Sequence, residues 1–200
     1  MPSHPMDRMK PPSQPVTPVP TLTDADLHRL VAACEGPTFR DRRDMAVLRL
    51  LLDCGLRRTE LASLRVSDLD MDQGLVVVTG KGKTRHVAFG AKTAVALDRY
   101  FRTRARHRLA GSSSLWLDLT PSGLYQALRG RAEAVGVTGW HTHRHRHTFA
   151  HQWLLARGNE GDLMQIAGWS SPSMLRRYGA SAASEGARIA QRRLALGDRF

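Results

Sequence analysis

Residues 141–154 read HTHRHRHTFAHQWL, a stretch that places five histidines and two arginines within eleven residues and then turns apolar. Imidazole and guanidinium groups suit three kinds of site: a metal centre, a row of nucleic-acid contacts and a phosphoryl-transfer centre. His143 and His147 have the four-residue spacing of helical zinc ligands, but zinc sites usually add carboxylate or cysteine ligands. A solvated basic helix face is a further alternative, and the stretch alone leaves all of them open.

The sequence on either side of this stretch predicts a mostly α-helical fold with one small antiparallel β-sheet, an α+β class. The β-branched run Val76–Val78, a GKGK turn and a return over Thr84–Phe89 indicate a β-hairpin. Helical patterns with N-capping residues, and a break at Gly55, account for most of the rest. The predicted helices start near Thr23, Asp41, Gly55, Ala91, Thr120 or Ser122, Thr142, Gly161, Ser171 and Ser184.

The composition favours an acidic partner. Lys and Arg number 30 against 18 for Asp and Glu, so the formal net charge is +12 at pH 7, and a nucleic acid is the commonest polyanion for such a chain. The two cysteines, Cys34 and Cys54, make no disulfide framework and indicate buried positions in a reducing compartment. No apolar run approaches the ~18 residues of a membrane span and no secretory signal is visible, which predicts a cytoplasmic protein without a membrane partner.

Four motifs, taken together and in chain order, carry a family resemblance that none of them carries alone. They are CGLRRTELASL at 54–64, VTGKGKTRHVAF at 78–89, HTHRHRHTFA at 141–150 and IAGWSSPSMLRRYG at 166–179. Together they resemble the catalytic domain of the tyrosine recombinases, the phage integrase family. The likeness runs from about Thr21 to Tyr178, and it implies the fold of that catalytic domain.

The resemblance implies a set of site residues. The implied catalytic residues are Arg57, Lys81, His143, Arg146, Trp169 and the nucleophile Tyr178. Glu60, one helical turn after Arg57, and His147 take supporting positions, and Lys83 is the substitute for Lys81. The other basic residues of the motifs are predicted to contact DNA: Arg58, Lys83, Arg85, Arg144 and His145. Trp169 stands where most members have a histidine, which leaves its role open.

The implied reaction transfers a DNA phosphodiester to Tyr178. Arg57 and Arg146 would clamp the non-bridging phosphate oxygens, where negative charge gathers in the transition state. His143 would take or position the tyrosine proton, and Lys81 would protonate the leaving 5′ oxygen. The product would be a 3′-phosphotyrosine bond that conserves the phosphodiester energy, so neither a metal nor another cofactor is expected.

Three parts of the chain are predicted. Residues 1–20 hold most of the ten prolines and predict a disordered tail, and residues 21–183 form the catalytic domain. Residues 184–200 form a helical tail that either docks on its own domain or is exchanged between subunits. Typical family members carry a preceding helical domain that clamps DNA, so a chain without it is expected to bind weakly as a monomer and to act as a dimer to tetramer on DNA.

The sequence therefore predicts a site-specific recombinase or integrase that acts on double-stranded DNA and associates with the nucleoid when bound. One alternative is an accessory DNA-binding protein or regulator that has the same fold but no activity. Another is a relaxing topoisomerase with the same chemistry and no site preference. A metal-dependent nuclease is a further alternative, which unchanged activity in EDTA would exclude. The target site and the direction of recombination stay open, because base readout depends on side chains whose orientation the sequence does not give.

Overall fold

The computed structural model describes residues 20–80, 82–117 and 119–199. The predicted disordered tail, apart from Pro20, and the predicted catalytic residue Lys81 lie outside the described residues. The helices are α1 (Asp24–Ala33), α2 (Phe39–Cys54), α3 (Arg58–Ala62), α4 (Ala91–Arg104), α5 (Pro121–Ala134), α6 (Thr142–Leu155), α7 (Glu160–Ala167) and α8 (Pro172–Leu194). The strands are β1 (Leu69–Asp70), β2 (Leu75–Gly80) and β3 (Lys83–Ala88), and short 3₁₀ turns cover Val66–Asp68 and Leu196–Arg199. The predicted class, mostly helical with a small antiparallel sheet, is confirmed.

Threonine side chains start several of the helices. Thr23 caps α1 and Thr120 caps α5, as predicted, because each hydroxyl accepts a hydrogen bond from a backbone N–H of the first turn. Thr38 caps α2 in the same way, and the Asp41 carboxylate accepts a hydrogen bond from the Thr38 backbone N–H. This reciprocal pair starts α2 at Phe39, slightly before the predicted start near Asp41.

Gly55 ends α2 and turns the chain toward the next helix. Its φ of 55° lies in the left-handed region, where glycine meets no steric penalty. A Cβ at this position would lie 2.4 Å from the Phe149 ring, so the close approach of α6 also requires glycine. The predicted break is confirmed, and it places Arg57 at the N-cap of the five-residue helix α3.

The sheet is antiparallel with strand order β1-β2-β3. The predicted hairpin is confirmed, with Val76 opposite Val87 and Gly80 opposite Lys83 at the turn. Strand β1 was not predicted, because its two residues are too few to show the alternation of polar and apolar residues that identifies a strand. The hairpin carries Arg85 on β3, next to its turn.

Two clusters of buried side chains form the core. The larger unites α1 to α5 with the sheet, and it includes the fully buried Leu50, Leu97 and Trp116. The smaller is built from α6, α7, α8 and the connection between the last two, and it contains Trp169 and Tyr178. Burial of a large apolar side chain contributes about 1.5–3 kcal/mol, so these two aromatic residues also hold the helices together.

Helix α8 is longer than the sequence suggested. Two helices were predicted, starting near Ser171 and Ser184, but one continuous helix of 23 residues covers both. Nothing between them forbids helix continuation, and α8 packs along α6, where Nε2 of His151 lies 2.9 Å from a carboxylate oxygen of Glu185. The predicted boundary between residues 183 and 184 therefore falls inside a helix. Exchange of the tail between subunits stays a prediction.

Candidate active site

Separate segments of the chain bring most of the predicted catalytic residues together. Arg57 lies at the junction of α2 and α3, and Arg146 and His147 lie on the first half of α6. Trp169 lies in the connection between α7 and α8, and Tyr178 lies on α8. Hydrogen bonds and ring contacts join these side chains, either directly or through the backbone carbonyls of residues 167 and 168.

Arg57 is oriented by one carboxylate and one carbonyl. Its Nη1 donates to Oε1 of Glu60 at 2.7 Å, and its Nη2 donates to the Gly168 carbonyl at 3.2 Å. The Arg57 backbone N–H donates to Oε2 of Glu60 at 2.9 Å. About a third of the Arg57 side chain stays exposed, so its guanidinium is held in place and is still accessible to a ligand.

Arg85 is a second arginine on the same carboxylate. Its Nη1 and Nη2 donate to the two oxygens of Glu60 at 3.0 and 2.9 Å, and its Nε donates to the Ile166 carbonyl at 2.7 Å. Sequence reasoning placed Arg85 among the DNA contacts and missed this supporting position. No spacing signal could have revealed the pair, because Glu60 and Arg85 are 25 positions apart on different elements.

The carboxyl group of Glu60 stays ionised because of these partners. Burial by itself would raise the pKa of Glu60, but the hydrogen bonds from Arg85 and Arg57 outweigh it and lower that pKa to about 2. Only 3% of the Glu60 side chain is exposed. The cluster therefore contains one buried negative charge shared by two arginines, which leaves the site with an excess of positive charge.

Arg146 lies deeper than Arg57. Its Nη1 donates to the Gly55 carbonyl at 2.8 Å, and its Nη2 donates to the Ala167 carbonyl. Its Cζ lies 5.3 Å from the centre of the Trp169 ring, a cation–π distance. Burial, followed by the charge of Arg57, lowers the pKa of Arg146 to about 10, so the side chain remains a cation at neutral pH.

Tyr178 is buried between an indole and an imidazole. Its ring stacks on Trp169 with centres 5.2 Å apart and planes 4° from parallel. Its hydroxyl lies 2.5 Å from Nδ1 of His147. Only 2% of Tyr178 is exposed. Nε1 of Trp169 is also buried and has no hydrogen-bond partner within the described part of the chain, so it remains able to donate to a bound group.

His143 lies one helical turn before His147. It is exposed, and its ring meets the His147 ring edge-on with centres 4.1 Å apart. The sequence assigned the tyrosine proton to His143. The structure instead puts His147 in hydrogen-bond distance of the Tyr178 hydroxyl, with His143 on the solvent side of His147.

An open cleft of about 590 Å³ adjoins this cluster, lined by Arg57, Lys83, Arg85 and Trp169 among others. Lys83 is exposed at the start of β3. The mixture of cations and an aromatic face suits an anionic ligand with flat, partly apolar groups.

Arg58 and Arg144 have different surroundings. Arg58 is exposed, with its Cζ 6.0 Å from the centre of the Tyr125 ring. The guanidinium of Arg144 donates to the carbonyls of Thr138, Gly139 and Thr21 at 2.8 to 3.1 Å, and so fixes the loop before α6. DNA contact by these two arginines, and by Lys83, stays a prediction.

The prediction that His145 contacts DNA is wrong. The side chain is completely buried, and its Nε2 accepts a hydrogen bond from Nε1 of Trp140 at 2.8 Å. Burial lowers the pKa of His145 to about 3, so it is neutral at physiological pH. The alternation of histidines in the sequence hid this difference, because a helix turns neighbouring residues by about 100° and so directs them to different faces.

Within the described residues, no three side chains of the His, Cys, Asp or Glu type come together in a way that would hold a metal ion. None of the helices that the structure describes has the length and apolar character required to cross a bilayer.

Comparison with known proteins relates this arrangement to DNA-processing enzymes. The model of the Phage integrase family matches residues 20–185. The chain is 34% identical over 175 residues to tyrosine recombinase XerC of Thermodesulfovibrio yellowstonii, and the alignment covers 78% of this chain and 56% of that protein. The chain thus spans little more than half the length of this curated relative.

Two solved structures have a similar fold. The crystal structure of XerA recombinase superposes with a TM-score of 0.71 at 26% identity, covering 84% of this chain and 64% of the other. XerH site-specific recombinase bound to its difH substrate, a pre-cleavage complex, gives a TM-score of 0.70 at 20% identity, covering 86% and 54%. The predicted resemblance of sequence and fold is confirmed.

Proposed function

The chain belongs to the phage integrase family, and from this premise we propose that it is a tyrosine-type site-specific recombinase that breaks and rejoins DNA through Tyr178. One observation carries the proposal. The Tyr178 hydroxyl lies within hydrogen-bond distance of the imidazole of His147, and the Tyr178 ring stacks on the indole of Trp169. The buried Arg146 lies over that indole. This arrangement suits attack by Tyr178 on an anionic phosphorus centre.

The charges of the site match a phosphodiester. Arg57, which is accessible and held by Glu60, would bind a non-bridging oxygen with its remaining N–H groups. Arg146 lies over the Trp169 ring and supplies a fixed positive charge in a buried environment, where it acts more strongly than in water. The unpartnered indole N–H of Trp169 would donate to the same phosphate.

The atoms of the reaction balance without a cofactor. The Tyr178 hydroxyl gives its proton to a histidine of α6 as its oxygen bonds to phosphorus and the bond from phosphorus to the 5′ oxygen breaks. The 5′ oxygen takes a proton, which Lys81 would supply. Rejoining reverses each step. Neither ATP nor a metal ion is needed, because the phosphotyrosine bond keeps the energy of the original phosphodiester.

The proposed substrate is double-stranded DNA. A net charge of +12 favours it, and the similarly folded XerH structure is a complex with its difH substrate. Arg57 and Arg146 would bind the scissile phosphate, and Arg58 and Lys83 would contact the DNA backbone beside it. Because phosphate contacts dominate such binding, we expect the affinity to fall steeply as salt increases.

Assembly on DNA is part of the proposal. The last turns of α8 and the segment after it expose large apolar side chains, Ile189 at 54%, Leu194 at 48% and Leu196 at 58%. An exposed apolar row suits docking against a second copy. We expect dimers to tetramers on DNA, in which these residues are covered.

The experiment is covalent trapping on sheared genomic DNA from the source organism. The protein is incubated with the DNA and denatured, and the DNA ends linked to protein are sequenced, with Tyr178→Phe in parallel. Adducts that are absent from the variant and share one sequence support site-specific recombination. Adducts at unrelated sequences support a relaxing topoisomerase, and salt-sensitive binding without adducts in either protein supports an accessory DNA-binding protein.

A further inference from the structure

We propose that His147, and not His143, accepts the proton of Tyr178, and that His143 passes this proton toward solvent. The inference rests on the proposed function, since it assigns a proton step within that reaction. It makes His147 a catalytic residue, because its ring touches the nucleophile itself.

The two histidines differ in their distance from the Tyr178 hydroxyl. Nδ1 of His147 lies 2.5 Å from the Tyr178 hydroxyl, a short hydrogen bond that needs no rearrangement before proton transfer. The tyrosine is 2% exposed and His147 is 8% exposed, so this contact lies in the interior. His143 is exposed, and its ring centre is 4.1 Å from that of His147. The two imidazoles therefore form a path from the buried hydroxyl to the surface.

Acceptance of the proton by His147 requires one particular tautomer of its ring. For the tyrosine O–H to donate to Nδ1, the imidazole must be neutral, with its own proton on Nε2. As the tyrosine oxygen bonds to phosphorus, the O–H bond breaks and an N–H bond forms on Nδ1. The resulting imidazolium releases its Nε2 proton toward His143, and in the rejoining step the proton returns to the tyrosine oxygen by the same path.

The surrounding charges explain why the proton must move on. Arg146 directly precedes His147 on α6, and the charges of the Arg57–Glu60–Arg85 cluster, two cations and one anion, act on Arg146. A second cation held on His147 beside these groups would be unfavourable. Among the described residues, the charged and titratable groups on the elements packed against His147 include His143, Arg146 and His151 on α6, Tyr178 and Glu185 on α8, and the Arg57–Glu60–Arg85 cluster beside Arg146.

The variant His147→Asn separates proton acceptance by this side chain from simple positioning of the Tyr178 hydroxyl. Its side-chain oxygen can accept the tyrosine hydrogen bond near the place of Nδ1, but it cannot hold a proton at neutral pH. We therefore expect His147→Asn to keep the fold and to slow the formation of protein–DNA adducts on sheared genomic DNA by about 100-fold. His143→Asn should slow it by about 10-fold at most, and His28→Asn, an exposed histidine on α1, serves as the matched control.

The dependence of the rate on pH gives a second readout. Because His147 must be neutral to accept the proton, the adduct rate of the wild type should fall tenfold per pH unit below the pKa of the acceptor. This acid limb should persist in His143→Asn and disappear in His147→Asn. An unchanged acid limb in His147→Asn, or a His147→Asn rate equal to that of the wild type, overturns the proposal.

A spectroscopic measurement keeps the inference testable even if no adduct forms. In protein with ¹⁵N-labelled histidine, NMR at pH 7.5 reports which ring nitrogen carries the proton. We expect His147 to be protonated on Nε2, with an Nδ1 signal that changes in Tyr178→Phe and not in His28→Asn. A proton on Nδ1 of His147 overturns the inference, whereas absence of adducts from a wild type with the expected tautomer overturns only the proposed function.

Discussion

Arg85 on β3 and Glu60 on α3 are joined by two hydrogen bonds of 2.9 and 3.0 Å, and the same carboxylate holds Arg57. The Nε of Arg85 reaches on to the Ile166 carbonyl of α7. One arginine thus ties the hairpin, the first arginine motif and the helix before Trp169 into a single unit. The position of Arg57 thus depends on the Glu60 carboxylate, which Arg85 also holds.

The first prediction concerns this pair. Arg85→Met should lower the free energy of unfolding by about 3 kcal/mol, because it leaves the buried Glu60 charge with one partner fewer. Urea denaturation measures this, and the double variant Arg85→Met with Glu60→Gln should lose less than the sum of the single changes. The matched control is Arg102→Met, whose exposed pair with Asp98 should contribute less than about 0.5 kcal/mol. Strict additivity of the two single changes would contradict the coupling.

The second prediction compares two glycines. Gly168 ends α7 with a φ of 62°, and a Cβ there would lie 3.3 Å from Nη1 of Arg85. Gly168→Ala should therefore cost about 1–2 kcal/mol and reduce adduct formation, since it strains the backbone and presses on the arginine. Gly130→Ala, in open space on the outside of α5, should instead stabilise the protein by up to about 1 kcal/mol. Thermal unfolding of both variants checks the opposite signs, and equal shifts would contradict the account.

The third prediction concerns the stability of the fold at low pH. The pKa of His145 is lowered to about 3 from an ordinary value of 6.5, and that of Glu60 to about 2 from 4.5. Because both folded-state values lie below the unfolded ones, each group stabilises the fold above its ordinary pKa, and this contribution is lost as the pH falls. The free energy of unfolding should decline below about pH 6.5 and more steeply below about pH 4.5.

Substitution of His145 tests whether this residue causes the decline in the free energy of unfolding between pH 6.5 and 4.5. His145→Gln keeps an acceptor for the Trp140 N–H and does not titrate, so the loss of stability between pH 6.5 and 4.5 should shrink in urea titrations. His28→Gln, on the exposed side of α1, is the control for substitution at a surface histidine. A wild-type free energy of unfolding that stays constant over this interval would contradict the prediction, because it would mean that protonation of His145 does not destabilise the fold.

The fourth prediction concerns the end of α8. Ile189→Ser combined with Leu194→Ser should leave the fold and the adducts of single protein molecules intact, because both residues are about half exposed. The variant should lose assembly on DNA and strand exchange, which native gels and light scattering can follow. Gln191→Ser, on the same helix, is the control. Unchanged assembly and exchange would contradict a docking role for this row, and loss of adducts as well would indicate docking within one subunit.

The sequence revealed those features that depend on local patterns. The N-caps at Thr23 and Thr120, the break at Gly55 and the hairpin over β2 and β3 follow from turn and capping preferences within a few residues. The order of the motifs identified the family and most of the residues that meet around Tyr178. Contacts between residues that are far apart in the chain leave no such local pattern, and for this reason they were missed.

The missed features depend on contacts between distant segments. The support of Glu60 by Arg85 joins residues on different elements, and the choice between His143 and His147 depends on how α8 lies against α6. In the sequence, His145 looks the same as the exposed His141 and His143. Only the rotation of the helix buries it against Trp140. The continuity of α8 likewise depends on its packing along α6, which the composition of either half does not show.

The most direct test of the central claim is to locate the DNA on the protein. Adducts formed on sheared genomic DNA are digested with nuclease and trypsin, and the peptide that carries nucleotide is identified by mass spectrometry. The account predicts nucleotide on the peptide of residues 178–188, YGASAASEGAR, attached through Tyr178, and released DNA with a free 5′ hydroxyl. Nucleotide on any other residue, or 5′-linked DNA, would contradict the assignment of Tyr178 as the nucleophile.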